Sequence, residues 1–396
     1  MGILVQKFGG SSVSDIDKIK AVAQRVVATR EAGYDLVVVV SAMGDTTDDL
    51  LEMARAINPS PSRRELDMLL SVGERISMAL LSMAVHAHGH KAISLTGSQC
   101  GIITTDSHSN ARIMDVRPFR VQDELEKGHI VIIAGYQGTS YRREVTTLGR
   151  GGSDTTAVAL AAALSAEACE IYSDVDGIFS ADPRVVLDAK QLRSLTYEEM
   201  QELARSGAKV LNEQAVEFAR LSNIALFARS THLPDSSGTV IRPDGFSDRA
   251  ARAEAGVPFV AVSHMATGLF VEASTAVAAN KLGEHLSDYE CISVDWKTDS
   301  LQAYLSVENL HDCERFIADV MALDDTICVE RAGIVSAVGE GIGAKPKWIG
   351  KAHAALLEAG AHVRSSFCAR TRLTFVVDEK HVVPAANALH SAFAVS

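Results

Sequence analysis

The chain has 396 residues, too many for one ordinary domain and enough for two or three. With 47% hydrophobic and 22% charged residues it composes like an ordinary globular protein, which excludes disorder, collagen and coiled coil. A net charge of −12 and only 5% aromatic residues speak against a nucleic-acid surface. No uninterrupted apolar run approaches the ~18 residues needed to cross a bilayer, so no membrane association is expected. The start, MGILVQKFGGSS, lacks a signal pattern, and Gln6 does not suit myristoylation. The six cysteines are scattered, with no CxxC pair. They point to a reducing cytoplasm, against a disulfide framework or structural zinc, and are expected to be core filler.

Residues 1 to about 245 read as alternating strand and helix. Ile3 to Val5 is a short apolar strand. Ser14 and Asp15 then cap a helix with an apolar face of Ile16, Ile19, Val22, Ala23, Val26 and Val27. Leu36 to Val40 is a β-branched run without alternation, as in a strand buried on both faces. Helices are expected near 46–57 and 63–88, a buried strand at Ile130 to Ala134, an Ala-rich helix from Thr155 to Ser165 and a strand from Glu170 to Ser173. Helices near 197–206 and 213–222 precede a strand at Ile224 to Ala228. This alternation predicts a mostly parallel sheet covered by helices on both sides. The Pro-, Gly- and Ser-rich stretch from 229 leads into a linker at 246–256. Beyond it come short strands and single helices: Phe259 to Ser263, a helix near 275–287, Cys291 to Trp296 and Leu301 to Val307. A second set follows at Ile334 to Val338, a helix near 345–359, His362 to Ser366, Leu373 to Asp378 and a helix near 383–393. These read as two small βαββαβ units.

Three motifs carry chemistry. Lys7-Phe8-Gly9-Gly10-Ser11-Ser12 joins the first strand to the first helix. Its glycines let backbone approach an anion at a helix start, with Lys7 as a point charge; it is no Walker A motif, because the lysine precedes the glycines. A tight turn with a surface lysine is the other reading. Thr147-Leu148-Gly149-Arg150-Gly151-Gly152-Ser153-Asp154 is a second glycine-rich helix entry. It adds an arginine suited to carboxylate or phosphate and an aspartate that orients a cation or caps the helix. Tyr172-Ser173-Asp174-Val175-Asp176-Gly177-Ile178-Phe179 runs from a strand into an Asp-Gly turn. The carboxyl end of such a strand is where open α/β sheets bind ligands. His86, His88 and His90 mimic metal spacing, but lie where a helix yields to Gly89, and no metal site is expected there. Glu74 stands in an otherwise apolar helix.

Taken together, KFGGSSV, VVVVSAMGDTTDDLL, LSVGERIS, TTLGRGGSDTTAVALAAAL and YSDVDGIFSADPRVV, in that order, resemble the aspartokinases of the amino acid kinase family. The resemblance is close over residues 1–245. It implies a three-layer α/β kinase domain and ATP-dependent phosphorylation of the β-carboxylate of L-aspartate to 4-phospho-L-aspartate, with ATP and Mg²⁺. That step opens the biosynthesis of the aspartate-family amino acids. It also implies roles by residue. Lys7 would contact the transferring phosphoryl group, with Asp154 holding it. Arg150 would grip the α-carboxylate of aspartate and Glu74 its α-ammonium, with Ser41, Thr47 and Ser153 lining the pocket. Gly9 and Gly10 would lie under the phosphates, while Ser173, Asp174, Phe179, Arg184 and Lys209 would hold the nucleotide. No protein metal ligand is implied, since Mg²⁺ would ride on phosphates and water.

The C-terminal third resembles the family's paired ACT units, most clearly over residues 335–379. By that pattern 266–331 would be inserted into a unit made of 257–265 and 332–396. Pairing of such units implies a homodimer or larger assembly. Two departures stand out. Asn212-Glu213-Gln214 replaces the His-Pro pair that often follows GAKVL. The stretch Phe270 to Val277 lacks the DxPG turn that helps relatives bind lysine or threonine, so feedback by either is expected to be weak or absent; an intact pocket built with different residues is the other reading. A sister amino acid kinase with another substrate and a non-catalytic amino-acid sensor are the alternatives.

Overall fold

The computed structural model describes residues 2–149, 151–208, 210–233, 236–243, 259–307, 310 and 312–393. It divides into two compact units. The first holds residues 1–178, 191–200 and 209–248; the second holds 179–190, 201–208 and 249–396. The expected linker at 246–256 lies outside the described residues.

The first unit is built on an eight-stranded sheet. Its order is Ser194–Leu195, Thr239–Ile241, Ala225–Ser230, Ala168–Ser173, Ile3–Phe8, Asp35–Val40, Ile130–Ala134 and Ala92–Leu95. All neighbours run parallel except Ala225–Ser230 against Thr239–Ile241. The β-branched run from Leu36 to Val40 is wholly buried, as a strand covered on both faces requires. Alternate residues face opposite ways. Leu4, Phe8, Leu36, Val38, Val40, Ile130 and Ile132 pack with Ile19, Val22 and Val26 of the Ile16–Glu31 helix and Met78, Leu81 and Val85 of the Val72–Ala87 helix. The other face carries the Gly152–Ala163 helix, whose alanines let it sit close to the sheet. A small four-stranded sheet, ordered Ile113–Val116, Ile102–Thr104, Gln137–Ser140 and Val145–Thr147, completes the unit.

The stretch Arg63–Ala87 is long and apolar enough to pass for a membrane span by length and composition alone. Half of its apolar window is buried inside the protein. It breaks into Arg63–Leu70 and Val72–Ala87 around Ser71, and buries Asp67 and Glu74 among its apolar residues. Those are properties of a core helix.

The second unit is a six-stranded antiparallel sheet, ordered Ser293–Trp296, Leu301–Ser306, Ala261–Ala273, Ile327–Val338, Arg372–Val377 and Val363–Ala369. Two apolar clusters seat helices on it. One joins Ala278, Leu282, Phe316 and Val320 of the Ala276–Leu286 and Cys313–Met321 helices to Leu269 and Val271. The other joins Trp348, Leu356, Leu389 and Phe393 of the Pro346–Glu358 and Val382–Phe393 helices to Val335, Leu373 and Phe375. The two central strands run through both halves, with a register shift between Met265 and Gly268.

Three local expectations need correction. The first strand extends to Phe8, so Lys7 is a strand residue and not part of the loop after it. The Ala-rich helix begins at Gly152, three residues early, which puts Ser153 and Asp154 in its first turn. Cys100 and Cys169 are core residues, but Cys328 and Cys368 are exposed, because each lies on an alternate position of a strand with one open face.

Candidate active site

Parallel strands end at one edge, and register shows which residues meet there. Phe8 pairs with Val40 and Tyr172, and Val40 with Ala134. The next residues, Gly9, Ser41, Gly135 and Ser173, therefore align along the carboxyl edge of the sheet. Gly9 N–H donates to Tyr172 O at 3.1 Å and Ser41 N–H to Phe8 O at 3.1 Å, closing the turns that leave the strands. A Cβ on Gly10 would lie 2.9 Å from Ala42 O, so the close approach of the two turns needs glycine. Phe8 stacks on Tyr172 with centroids 4.9 Å apart and gives this edge a rigid floor.

Lys7 shares its facing with Val5, toward the Gly152–Ala163 helix. Its Nζ lies 2.7 Å from Asp154 Oδ1. Both side chains are 11% exposed, and the contact is an ion pair lying off the axis of a hydrogen bond. Asp154 is delivered there by a glycine turn: Gly149 and Gly151 take φ of +76° and +70°. Gly151 caps the helix with no side chain, leaving a positive dipole end. The Gly10–Val13 turn of 3₁₀ helix also starts at this edge without a side-chain cap. A cation and two uncapped helix starts on one sheet edge can hold a polyanion.

Glu74 is buried in the first turn of the Val72–Ala87 helix. Its Oε1 accepts Ala42 N–H at 3.2 Å, and its Oε2 has no partner. Burial pushes its carboxyl up to about 7. An unpaired buried carboxylate oxygen is costly unless something positively charged meets it. Ser77 Oγ donates to Ser41 O at 2.7 Å, tying this helix to the strand end. Ser41 and Thr47 are half-buried, and Ser153 is buried against Gly135, where a Cβ would lie 2.8 Å from Ser153 Oγ.

Of the residues implied for the nucleotide, Gly9, Gly10, Ser173 and Asp174 belong to the first unit. Phe179 and Arg184 fall in the second, where Arg184 Nη2 holds Asp182 Oδ2 at 2.8 Å. Arg150 and Lys209 lie outside the described residues. Asn212, at the departure from His-Pro, caps the Glu213–Ser222 helix and accepts Thr155 Oγ1 at 3.2 Å, so it ties that helix to the glycine-loop helix.

Sequence reasoning missed Asp67. It is fully buried and accepts from Thr147 Oγ1 at 2.6 Å and from Ser109 N–H at 3.0 Å, with His108 Nδ1 at 2.7 Å. The available signal is its place between Leu66 and Leu70 on the apolar side of the Arg63–Leu70 helix, seven residues before Glu74.

Residues 2–229 match the amino acid kinase family. The chain is 43% identical to the aspartokinase of Mycolicibacterium smegmatis, with 99% of this chain and 96% of the relative covered. It is 40% identical to that of Geobacillus stearothermophilus, covering 100% and 98%. Among solved structures it shares its fold with Escherichia coli aspartokinase III in complex with aspartate and ADP. That likeness has a TM-score of 0.84 at 23% identity and covers 98% of this chain and 99% of the other. With its parallel sheet, its paired Lys7 and Asp154 and relatives matched end to end, the chain belongs to the aspartokinases of the amino acid kinase family.

Proposed function

We propose that the site transfers the γ-phosphoryl group of ATP to the β-carboxylate of L-aspartate, forming 4-phospho-L-aspartate and ADP. The observation that carries this reading is the Lys7–Asp154 pair set among two uncapped helix starts at the sheet's carboxyl edge. A carboxylate is ionised at neutral pH and is already a nucleophile, so no general base is needed. One of its oxygens attacks γ-phosphorus in line, the bond to the β–γ bridging oxygen breaks, and ADP leaves with that electron pair. Two anions must meet, so catalysis rests on positioning and charge neutralisation. Lys7 supplies the positive charge at the transferring group, and Asp154 fixes where that charge sits. The unpartnered Glu74 Oε2 takes the α-ammonium of the substrate. Arg150 takes the α-carboxylate, and Ser41, Thr47 and Ser153 complete the pocket. Ser173 and Asp174 contact the nucleotide above Gly9 and Gly10.

Among the described residues no three His, Cys, Asp or Glu side chains gather to hold a metal. A Mg²⁺ ion held by phosphates and water suits such a site, and when bound it neutralises phosphate charge. ADP release with L-aspartate, and with glutamate, acetylglutamate, carbamate or UMP in its place, tests the substrate. Turnover with one of the others instead of aspartate would overturn the reading.

The reading extends to a cytoplasmic enzyme that opens aspartate-family biosynthesis and assembles as a homodimer or larger through its C-terminal units. It extends also to weak or absent feedback by lysine or threonine. In support, Phe270–Ala273 continues as strand, and Thr275 Oγ1 takes the Ala278 N–H at the following helix start, 3.2 Å away. That donor is thereby closed to an amino-acid effector. Activity is expected to persist in the presence of both amino acids; half-inhibition at low millimolar concentration of either would contradict this.

A further inference from the structure

We propose that Asp67 is a positioning residue for substrate: it fixes the entry to the Gly149–Gly152 loop relative to Glu74, and so sets the span between the sites for the α-carboxylate and the α-ammonium. The inference rests on the reading above, in which Arg150 of that loop takes the α-carboxylate and Glu74 the ammonium.

The argument starts from cost. Asp67 is 0% exposed, and an ionised carboxylate there is tolerated only if donors meet its oxygens. Every donor comes from chain far away in sequence. Ser109 N–H reaches Oδ1 at 3.0 Å and Oδ2 at 3.2 Å, with Ser109 Oγ at 3.4 Å from Oδ1. Thr147 Oγ1 donates to Oδ1 at 2.6 Å, and His108 Nδ1 lies 2.7 Å from Oδ2. One buried side chain thus clamps the 108–109 turn and the last residue before Leu148-Gly149.

The clamped segment has little freedom left. Thr147 O accepts Ala111 N–H at 2.9 Å, and Leu148 N–H donates to Tyr136 O at 2.9 Å. A Cβ on Gly149 would lie 3.0 Å from Asn110 Oδ1, so the turn held by Asp67 also packs on the loop's first glycine. On its other side Asp67 is joined to Glu74 through two helices that meet at Ser71, which keeps right-handed helical dihedrals. Seven residues are close to two helical turns, which puts both carboxylates on one face. The break between them is held by Ser71 N–H to Asp67 O at 3.0 Å and by Gln137 Nε2 to Ser71 O at 2.8 Å. One helical segment therefore carries Glu74 directly and grips the other loop through Asp67. A loop needing only closure could be held by apolar packing. Four donors converging on one buried charge fix position in three dimensions.

Asp67→Asn keeps the shape and turns an acceptor edge into a donor facing donors. In the full chain it is expected to raise the KM for L-aspartate at least tenfold and the KM for ATP no more than about threefold, since the same loop leads on to Asp154 and the helix start beside the phosphates. Thr147→Val removes one donor and is expected to raise the aspartate KM about threefold, again with a smaller change in that for ATP. Calorimetric titration should show the same split between L-aspartate and ADP. An unchanged aspartate KM in folded Asp67→Asn would overturn the proposal. So would aspartate and ATP KM values rising by the same factor with a lowered Tm, the mark of a merely structural staple. If Asp67→Asn does not fold, Thr147→Val decides by the same criteria. Arg150→Ala separates the two levels. If it leaves the aspartate KM unmoved, the reading of the loop fails; if it weakens aspartate while Asp67→Asn is normal, the proposal alone fails.

Discussion

Replacing Lys7 with alanine is expected to abolish turnover while leaving aspartate binding largely in place. Lys7 is the cation at the carboxyl end of the first strand, 2.7 Å from Asp154. An ammonium aimed at developing charge in a site shielded from water contributes several kcal/mol to the transition state and much less to the ground state. A fall in kcat of at least about 10³-fold, roughly 4 kcal/mol, is the expected size. The substitution also strands Asp154, whose side chain is only 11% exposed, as an uncompensated buried charge. Breaking such a pair costs about 3–5 kcal/mol of stability, so Tm should fall as well. Asp154→Asn removes the opposite partner. It leaves the cation present but unfixed, and should lower kcat less than Lys7→Ala does. Rapid-quench measurement of the chemical step in both variants, with ADP titration to confirm folding, checks this. A Lys7→Ala protein that turns over within tenfold of the parent would place the phosphoryl group elsewhere.

Glu74→Gln should make the empty protein more stable and a poorer binder of aspartate. Burial holds the Glu74 carboxyl up at about 7, above the value of an unfolded chain. The folded state therefore binds a proton more tightly than the unfolded state does. Between about pH 4.5 and 7 the protein loses stability as pH rises, and above 7 the cost of the buried anion is fully present. At about 1.4 kcal/mol per pH unit that cost is on the order of 3 kcal/mol. Glutamine removes it, so the substrate-free variant should melt several degrees higher at pH 8, and the gain should shrink toward pH 5. The same change deprives the substrate ammonium of its counter-charge, and kcat/KM for aspartate should drop about 100-fold. In the parent, kcat/KM should fall as pH drops below about 7, where the free enzyme carries neutral Glu74. A Glu74→Gln variant with parental stability at pH 8 and parental aspartate affinity would remove Glu74 from the site.

Much of this was legible in the residues. The unbroken Leu36–Val40 run specified a central strand, and the glycine loops specified helix entries near anions. The order of motifs then specified the family. What was not legible has physical causes. Lys7 looked like a loop residue because Lys7-Phe8-Gly9 has no apolar alternation, yet pairing with Val39 and Ile171 keeps it in the sheet. The residues place the start of the glycine-loop helix at Thr155, because glycine and aspartate are poor helix formers, whereas here Gly151 turns the chain into the helix and Asp154 sits in its first turn. Asp67 was invisible because its meaning lies in His108, Ser109 and Thr147, distant in sequence and brought together by the small second sheet. The long strands Ala261–Ala273 and Ile327–Val338 were read only at one end each. His264 to Gly268, with its register shift, and the charged pair Glu330-Arg331 interrupt the apolar pattern, and pairing on both edges carries the strands through them.

The most direct test of the central claim is to incubate the purified chain with MgATP and L-aspartate in the presence of hydroxylamine. An acyl phosphate is captured as a hydroxamate, so the assay reports the mixed anhydride itself and not merely ATP loss. The expected result is aspartate β-hydroxamate formed in step with ADP, absent in Lys7→Ala and unaffected by lysine or threonine. ADP release without hydroxamate, or no reaction with aspartate at all, would contradict the account.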